Sequence, residues 1–406
     1  MRLRSSTLWI GGAGLALAAV IAYGQRPQKA TAPEADCVPV AAWVAPRAAG
    51  AERVDPSALL AAAARANVVL LGESHDNFDH HRWQLQTLAA LHAARPRMVI
   101  GFEMFPRRVQ PVLDKWVAGE LDEQAFLKAA EWRTVWSFDP SLYMPLFHFA
   151  RMNRIPMVAL NVDRGLTRAV SAKGLAAVPV GEREGVTTPA APSEAYATSL
   201  FESWLAHVPP GGAGKDAPKP SRSDPEFLRF VESQQVWDRA MAQGIAAARA
   251  RDPQALVVGI MGSGHVVDGH GVPHQLRDLG VNEIVAFVPW DRGEDCSRLV
   301  VGVADAVFGM PAPLGPPTQR ARLGVMLERD DAGVRIARVE KGSVAEAAGL
   351  RAGDVIAEAA GIGVKQAGEL TEVVQRQAPG TWLPLSVKRE SSSLEVVAKF
   401  PPSTAQ

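Results

Sequence analysis

At 406 residues, with 47% hydrophobic and 21% charged side chains, the chain is too long for one small domain and has the composition of an ordinary globular protein. Lys plus Arg and Asp plus Glu both total 43, which gives zero net charge. A balanced chain has no basic excess with which to hold phosphates, and this argues against nucleic acid as a partner.

Arg2 and Arg4 precede an apolar run from Leu8 to Tyr23, and Ala22-Tyr23-Gly24 offers small residues at the spacing of a cleavage site. This is the pattern of an export signal, taken with its tether as residues 1–36; an uncleaved N-terminal membrane anchor is the alternative. The expected location is the periplasm or cell envelope. A lipoprotein is not expected, because Glu34, Ala35 and Asp36 before Cys37 are no lipobox. Cys37 and Cys296 are the two cysteines. In an oxidising compartment they can pair, the other reading being two unrelated thiols.

Short apolar runs at Val68–Leu71, Met98–Phe102, Pro156–Leu160, Leu256–Ile260 and Ile284–Val288 read as buried parallel strands. Helical patterns lie between them. Trp83, Leu88 and Leu91 mark one, Asp139-Pro140 opens another with Asp as N-cap, and Glu226 to Arg249 is a long third. The alternation predicts an α/β fold over residues 37–308, a mostly parallel sheet flanked by helices. Pro209 to Pro225 reads as a mobile loop, and residues 309–318 as a proline-stiffened linker. From 319 to 401 short strands with glycine turns predict a second, β-rich domain.

In an open α/β sheet ligands sit beyond the carboxyl ends of the strands. Glu73 and His75 follow the first strand, Glu103 ends the second, and His265 follows the fourth. Carboxylates and imidazoles suit a divalent metal such as zinc, or acid–base work; a polar network that locks the loops is the alternative. His80 and His81 are expected on a solvated helix face, and His148 on a helix surface. Ser263 lies between glycines, but no nucleophile elbow accompanies it, so a serine protease is not expected.

VVLLGESHDNFDHHRWQLQ, GFEMF, Tyr143-Met144-Pro145-Leu146 leading to IPMVALN, QQVWDRAMA and GIMGSGHVVDGHGVP follow one another in an order that resembles the ChaN-like haem-binding family, over roughly Val54 to Val307. At greater distance the chain is similar to the erythromycin esterase and TraB/Tiki groups, which include hydrolases and metal-dependent peptidases. The resemblance implies an α/β fold, haem or iron binding, haem held at the interface of a homodimer, and a tyrosine on the iron. Tyr143 and Tyr196 are the tyrosines outside the export segment, and both remain candidates. Tyr143 shares a helical stripe with Phe147 and Ala150 and reads otherwise as a core-edge aromatic; Tyr196 reads otherwise as a surface aromatic. His207, His270 and His274 are further candidates for reaching haem.

Arg322-Leu323-Gly324-Val325-Met326, then Val334 to Val339, Gly342 to Leu350 and Gly353-Asp354-Val355-Ile356 resemble a PDZ domain of the kind found in bacterial periplasmic proteases. The resemblance implies that Leu323, Gly324, Val325 and Met326 form the loop and strand that take the C-terminus of a peptide or protein, with Gln366 to Gln377 as the other wall. The expected function is haem or iron handling in the envelope with a partner recruited through the PDZ domain. The alternative is a metal-dependent hydrolase.

Overall fold

The computed structural model describes residues 36–48, 50–207, 220–313, 321–330, 333–375 and 377–402. The expected export signal, residues 209–219 of the expected loop and residues 314–318 of the expected linker lie outside these. The chain divides into two compact units between residues 313 and 314.

The first unit holds eight strands: β1 (Trp43–Arg47), β2 (Gly50–Arg53), β3 (Val68–Leu71), β4 (Met98–Pro106), β5 (Met157–Asn161), β6 (Leu256–Ile260), β7 (Ile284–Asp291) and β8 (Ala306–Met310). Their order across the sheet is β2-β1-β8-β7-β3-β6-β4-β5. β3 to β8 run parallel, and β1 and β2 close one edge antiparallel. The five expected strands are present within a residue or a few of their expected bounds. β1, β2 and β8 extend the sheet beyond them, and Gly309 and Met310, expected in the linker, end β8.

Both faces of the sheet are buried at its central strands, as the unbroken apolar runs require. In β3, Val69 and Leu71 face one core with Phe102, Trp116, Phe126 and Phe147, whereas Val68 and Leu70 face the other with Met241, Ile245 and Leu276. The first core lies under the helices Phe78–Ala94, Gln110–Ala118 and Pro140–Met152, and the second under Pro225–Arg251 and Val272–Asp278. Truncating a fully buried leucine such as Leu71 to alanine costs about 2–5 kcal/mol. The helix Pro140–Met152 starts as read, with Asp139 accepting from the Ser141 amide. Pro225, expected inside the loop, is instead the first residue of its helix. Cys37 and Cys296 form a disulfide with Cα atoms 5.8 Å apart. Among the described residues no helix is long and apolar enough to cross a membrane.

The second unit is an antiparallel sheet of β9 (Val325–Asp330), β10 (Gly333–Val339), β11 (Val355–Ala359), β12 (Ile362–Gly363), β13 (Trp382–Arg389) and β14 (Ser392–Lys399). β12 pairs with β11, and the others run in the order β14-β13-β11-β10-β9. Leu323, Ile336, Ile356, Leu370 and Leu385 fill its core. The helix Ala367–Gln375 lies beside β9, and buried Asp354 pairs with Arg389 through both carboxylate oxygens at 2.8 Å.

Candidate functional site: a histidine–carboxylate centre at the strand ends

The strand order places the site. The chain runs from β3 past one vacant position to β4 and β5, then returns to lay β6 between β3 and β4. The C-terminal ends of three neighbouring strands, β3, β6 and β4, therefore meet, and they carry Glu73 and His75, His265, and Glu103 respectively. Between Phe102 and Pro106, β4 departs from register with β5, four residues advancing against two. Such a bulge re-aims side chains, and Glu103 stands within it with Oε2 accepting from the Gly262 amide at 2.7 Å.

His75 Nδ1 lies 2.5 Å from Glu73 Oε1, and its Nε2 lies 3.9 Å from Glu103 Oε1. His265 Nε2 approaches the same Glu103 Oε1 at 3.6 Å. Both glutamate side chains are fully buried, and His75 has the larger opening of the two imidazoles, with 12% of its side chain exposed against 6% for His265. Glu73, His75 and Glu103 offer ligand atoms within 4.8 Å of one another. Gly262 makes room for them. A Cβ there would stand 3.0 Å from His75 Cε1 and 3.3 Å from its Nε2.

The charges are mutually dependent. Burial opposes a charge on His75, but the carboxylates of Glu73 and then Glu103 outweigh it and raise the imidazole to about 9. Burial opposes ionisation of Glu73 too, yet His75 holds its carboxyl below the ordinary value. For His265, burial is overcome by Asp238 and then Glu103, and the pKa is raised.

Two atoms test whether a cation fits. Glu73 Oε2 and Glu103 Oε1 are buried and accept no hydrogen bond. An unsatisfied buried carboxylate oxygen is costly. A divalent cation among Glu73, His75, Glu103 and His265 would use these oxygens together with imidazole nitrogen, a donor set that suits zinc.

His80 and His81 correct the sequence reading, since both are buried and not on a solvated face. His80 Nδ1 accepts from the Ser74 amide at 2.9 Å, and its Nε2 donates to Asp291 at 2.9 Å. His81 faces Gln84 Oε1 through Nδ1 and the His75 carbonyl through Nε2, each at 3.2 Å. Burial lowers its pKa, so the neutral ring has one proton for these two acceptors. Gln84 in turn donates to the carbonyls of Leu71 and Gly72, fixing the end of β3. His148 is half exposed and pairs with Glu123.

The expected haem residues fall in two places. Tyr143 is fully buried beneath the centre, with its hydroxyl donating to the His75 carbonyl at 3.2 Å. Burial first and Glu73 second push its phenol well above 10, so as placed it does not fit a phenolate ligand. Tyr196, which could have been a surface aromatic, is buried and donates to Asp238 Oδ2 at 2.7 Å. The His270 ring packs on Tyr196 with centroids 5.6 Å apart and is partly open. His207 ends the helix Glu194–His207, and its side chain lies outside the described residues. His274 donates to the Ala191 carbonyl.

Asp238 was missed by the sequence reading. It is buried, and its Oδ1 lies 2.6 Å from His265 Nδ1. The signal was present, for Phe227, Val231, Gln234, Asp238, Met241 and Ile245 form one helical stripe, and an acid on a buried stripe marks a satisfied polar site.

In the second unit Leu323 is buried, Val325 is half-buried and Met326 is exposed. Gly324 has φ +77°, and a Cβ there would lie 2.3 Å from the Ser343 Cβ. Backbone conformation and packing against Ser343 both require a glycine here. β9 pairs with β10 on one side only, and its other edge faces the helix Ala367–Gln375.

Fold and site together define a ligand-binding parallel α/β domain with a buried histidine–carboxylate centre, joined in one chain to a PDZ domain. The chain belongs to the family described as haem-binding uptake, Tiki superfamily, ChaN, whose profile matches residues 59–276. The PDZ profile matches residues 321–399. No curated protein matches the chain. Among solved structures, ChaN of Campylobacter jejuni with cofacially bound haem is 20% identical, with TM-score 0.50, over 66% of this chain and 95% of that one. The HtrA3 PDZ domain with a phage-derived ligand is 22% identical, with TM-score 0.18, over 19% and 82%. A serine endoprotease from Yersinia pestis is 21% identical, with TM-score 0.19, over 21% and 30%.

Proposed function

We propose that this is an exported protein of the periplasm or cell envelope that handles haem as cargo through its α/β domain, and recruits a protein partner by its C-terminus through the PDZ domain. The observation that carries the haem reading, beside family membership, is the Tyr196–His270 face. Burial lowers the His270 pKa, so its imidazole is neutral near pH 7, the state in which a ring nitrogen can meet iron or a propionate. Tyr196 lies directly beneath that ring and needs to leave Asp238 before its oxygen can reach iron. Haem shared between two copies of the chain would bring such faces together in a homodimer. The Arg2-to-Tyr23 pattern and the Cys37–Cys296 disulfide favour an oxidising compartment.

Haemin titration of the full chain tests the reading. A saturable Soret shift is expected, altered by His270→Ala and Tyr196→Phe. Absence of any saturable shift in the wild type sinks it.

One observation favours a second reading, a metal-dependent hydrolase. Glu73 Oε2 and Glu103 Oε1 are left without partners at a centre reached beside His75. A divalent cation there would supply Lewis acidity and an activated water, while Glu73 orients His75 and Asp238 orients His265. Metal analysis of the wild type and of the Glu73→Gln, His265→Ala double variant separates the readings. A metal-free wild type that hydrolyses nothing leaves the cluster as a structural network.

A further inference from the structure

The centre holds two histidines, and each has its Nδ1 taken by a carboxylate. Glu73 takes His75 at 2.5 Å, and Asp238 takes His265 at 2.6 Å. A carboxylate only accepts, so each ring carries a hydrogen on Nδ1. Both Nε2 atoms then converge on Glu103 Oε1, at 3.9 and 3.6 Å.

Asp238 differs from Glu73 in its origin. It comes from the long helix Pro225–Arg251, outside the strand-end loops, and both of its oxygens are engaged, Oδ1 by His265 and Oδ2 by the Tyr196 hydroxyl at 2.7 Å. Its neighbour Trp237 packs edge-on against the His265 ring at 5.3 Å. The backbone closes around the pair at Gly271, where a Cβ would stand 2.7 Å from the His265 carbonyl oxygen and 2.9 Å from Asp238 Oδ1. The carboxylate is thus held in one orientation from three directions.

We propose that Asp238 is the positioning residue of the strand-end centre, a role that rests on its metal-binding reading: held by Tyr196, it fixes His265 with Nδ1–H toward itself and Nε2 open toward Glu103. Without it the ring can place its hydrogen on Nε2, where the unpartnered Glu103 Oε1 would accept it. That tautomer satisfies Glu103 internally and removes the nitrogen lone pair from the site. Partners of this kind commonly set the orientation and basicity of a metal-binding histidine.

Nitrogen-15 NMR of the histidines in the metal-free full chain reads the tautomer, and zinc titration reads its consequence. Read at a pH above the raised imidazole pKa, so that the ring is neutral, the wild type should show His265 as the Nδ1–H form, and Asp238→Asn should shift it to Nε2–H and weaken zinc about 10–100-fold. Should Asp238→Asn fail to fold, Asp238→Glu keeps the carboxylate but displaces it by a methylene, and several-fold weaker zinc binding is expected. Wild-type tautomer and zinc affinity in the variant that folds overturn the positioning role. A wild type that binds no zinc overturns the metal reading instead, and the tautomer still decides whether Asp238 sets the ring.

Discussion

Tyr143 donates its hydroxyl to the backbone carbonyl of His75, 3.2 Å away and 68 residues distant in sequence. The ring is fully buried and stacks with Phe147, and His81 packs on it with ring centroids 4.2 Å apart. The phenol therefore acts as a strut under the loop that carries His75. Tyr143→Phe keeps the packing but removes one of the two groups that face the His75 carbonyl, leaving His81 Nε2, and this costs about 1 kcal/mol. Thermal unfolding should show that loss, whereas the Soret band of the haem-loaded chain should not move. A displaced Soret band would place Tyr143 at the iron after all.

Gly262→Ala should act on the centre directly. Its Cβ would press on His75 Cε1 at 3.0 Å, tighter than ordinary contact, and push the ring from Glu103. Zinc affinity is expected to fall about tenfold, the lower end of what misoriented ligands lose. Unchanged affinity with unchanged stability would show that His75 is not a ligand.

Acid should weaken the PDZ domain through Asp354. Arg389 hydrogen-bonds its carboxylate, and although burial opposes this, the carboxyl is held below its ordinary value. A depressed folded-state pKa gives stability that is present above the unfolded value, near 3.8, and is lost as pH falls through the lower folded value. Calorimetry of the full chain should show the PDZ transition moving down in temperature over that acidic window. Asp354→Asn should remove the slope and destabilise the domain by about 1–3 kcal/mol at neutral pH. An identical slope in the variant would assign the acid sensitivity to another group.

At the groove, a peptide with a free apolar C-terminus should bind the full chain in the micromolar range or looser, and amidating the terminus should remove most of that affinity. Gly324→Ala should abolish binding, because φ +77° and the approach to Ser343 admit no side chain without a shift of the loop. Equal binding of free and amidated peptides would show that the loop reads no carboxylate.

The strands that flank the site were legible because each is a short run of apolar residues buried on both faces. β1, β2 and β8 were not. β1 contains Pro46 and Arg47, β2 is exposed along its whole length, and β8 contains Gly309. β2, at the edge of the sheet, tolerates such exposure because one side makes no ladder, whereas β1 and β8 lie inside the strand order and were hidden by Pro46 and Gly309, which read as strand breakers. Glu73, His75, Glu103 and His265 could be found from their places after strands. Their grouping required β6 to lie between β3 and β4, and strand order is a property of the fold that no run of residues states. His80, His81 and Asp238 were hidden for another reason. Polar residues on a helix look solvated until the helix's buried face is fixed, and only then does an acid or imidazole on that face read as part of a site.

The Cys37–Cys296 bond sets the path of mechanical load through the α/β unit. Cys37 precedes β1, and Cys296 lies between β7 and β8, the latter being the strand with which β1 pairs. A pull applied upstream of Cys37 enters the body of the sheet through sulfur, and the antiparallel ladder of β1 is spared from peeling. If the first residues hold the chain to a membrane while the PDZ domain holds a partner, tension between the two is carried by this covalent bond at one end. Once it is reduced, β1 becomes the first element to yield under force, and single-molecule stretching with and without reductant would display the difference as an added early extension.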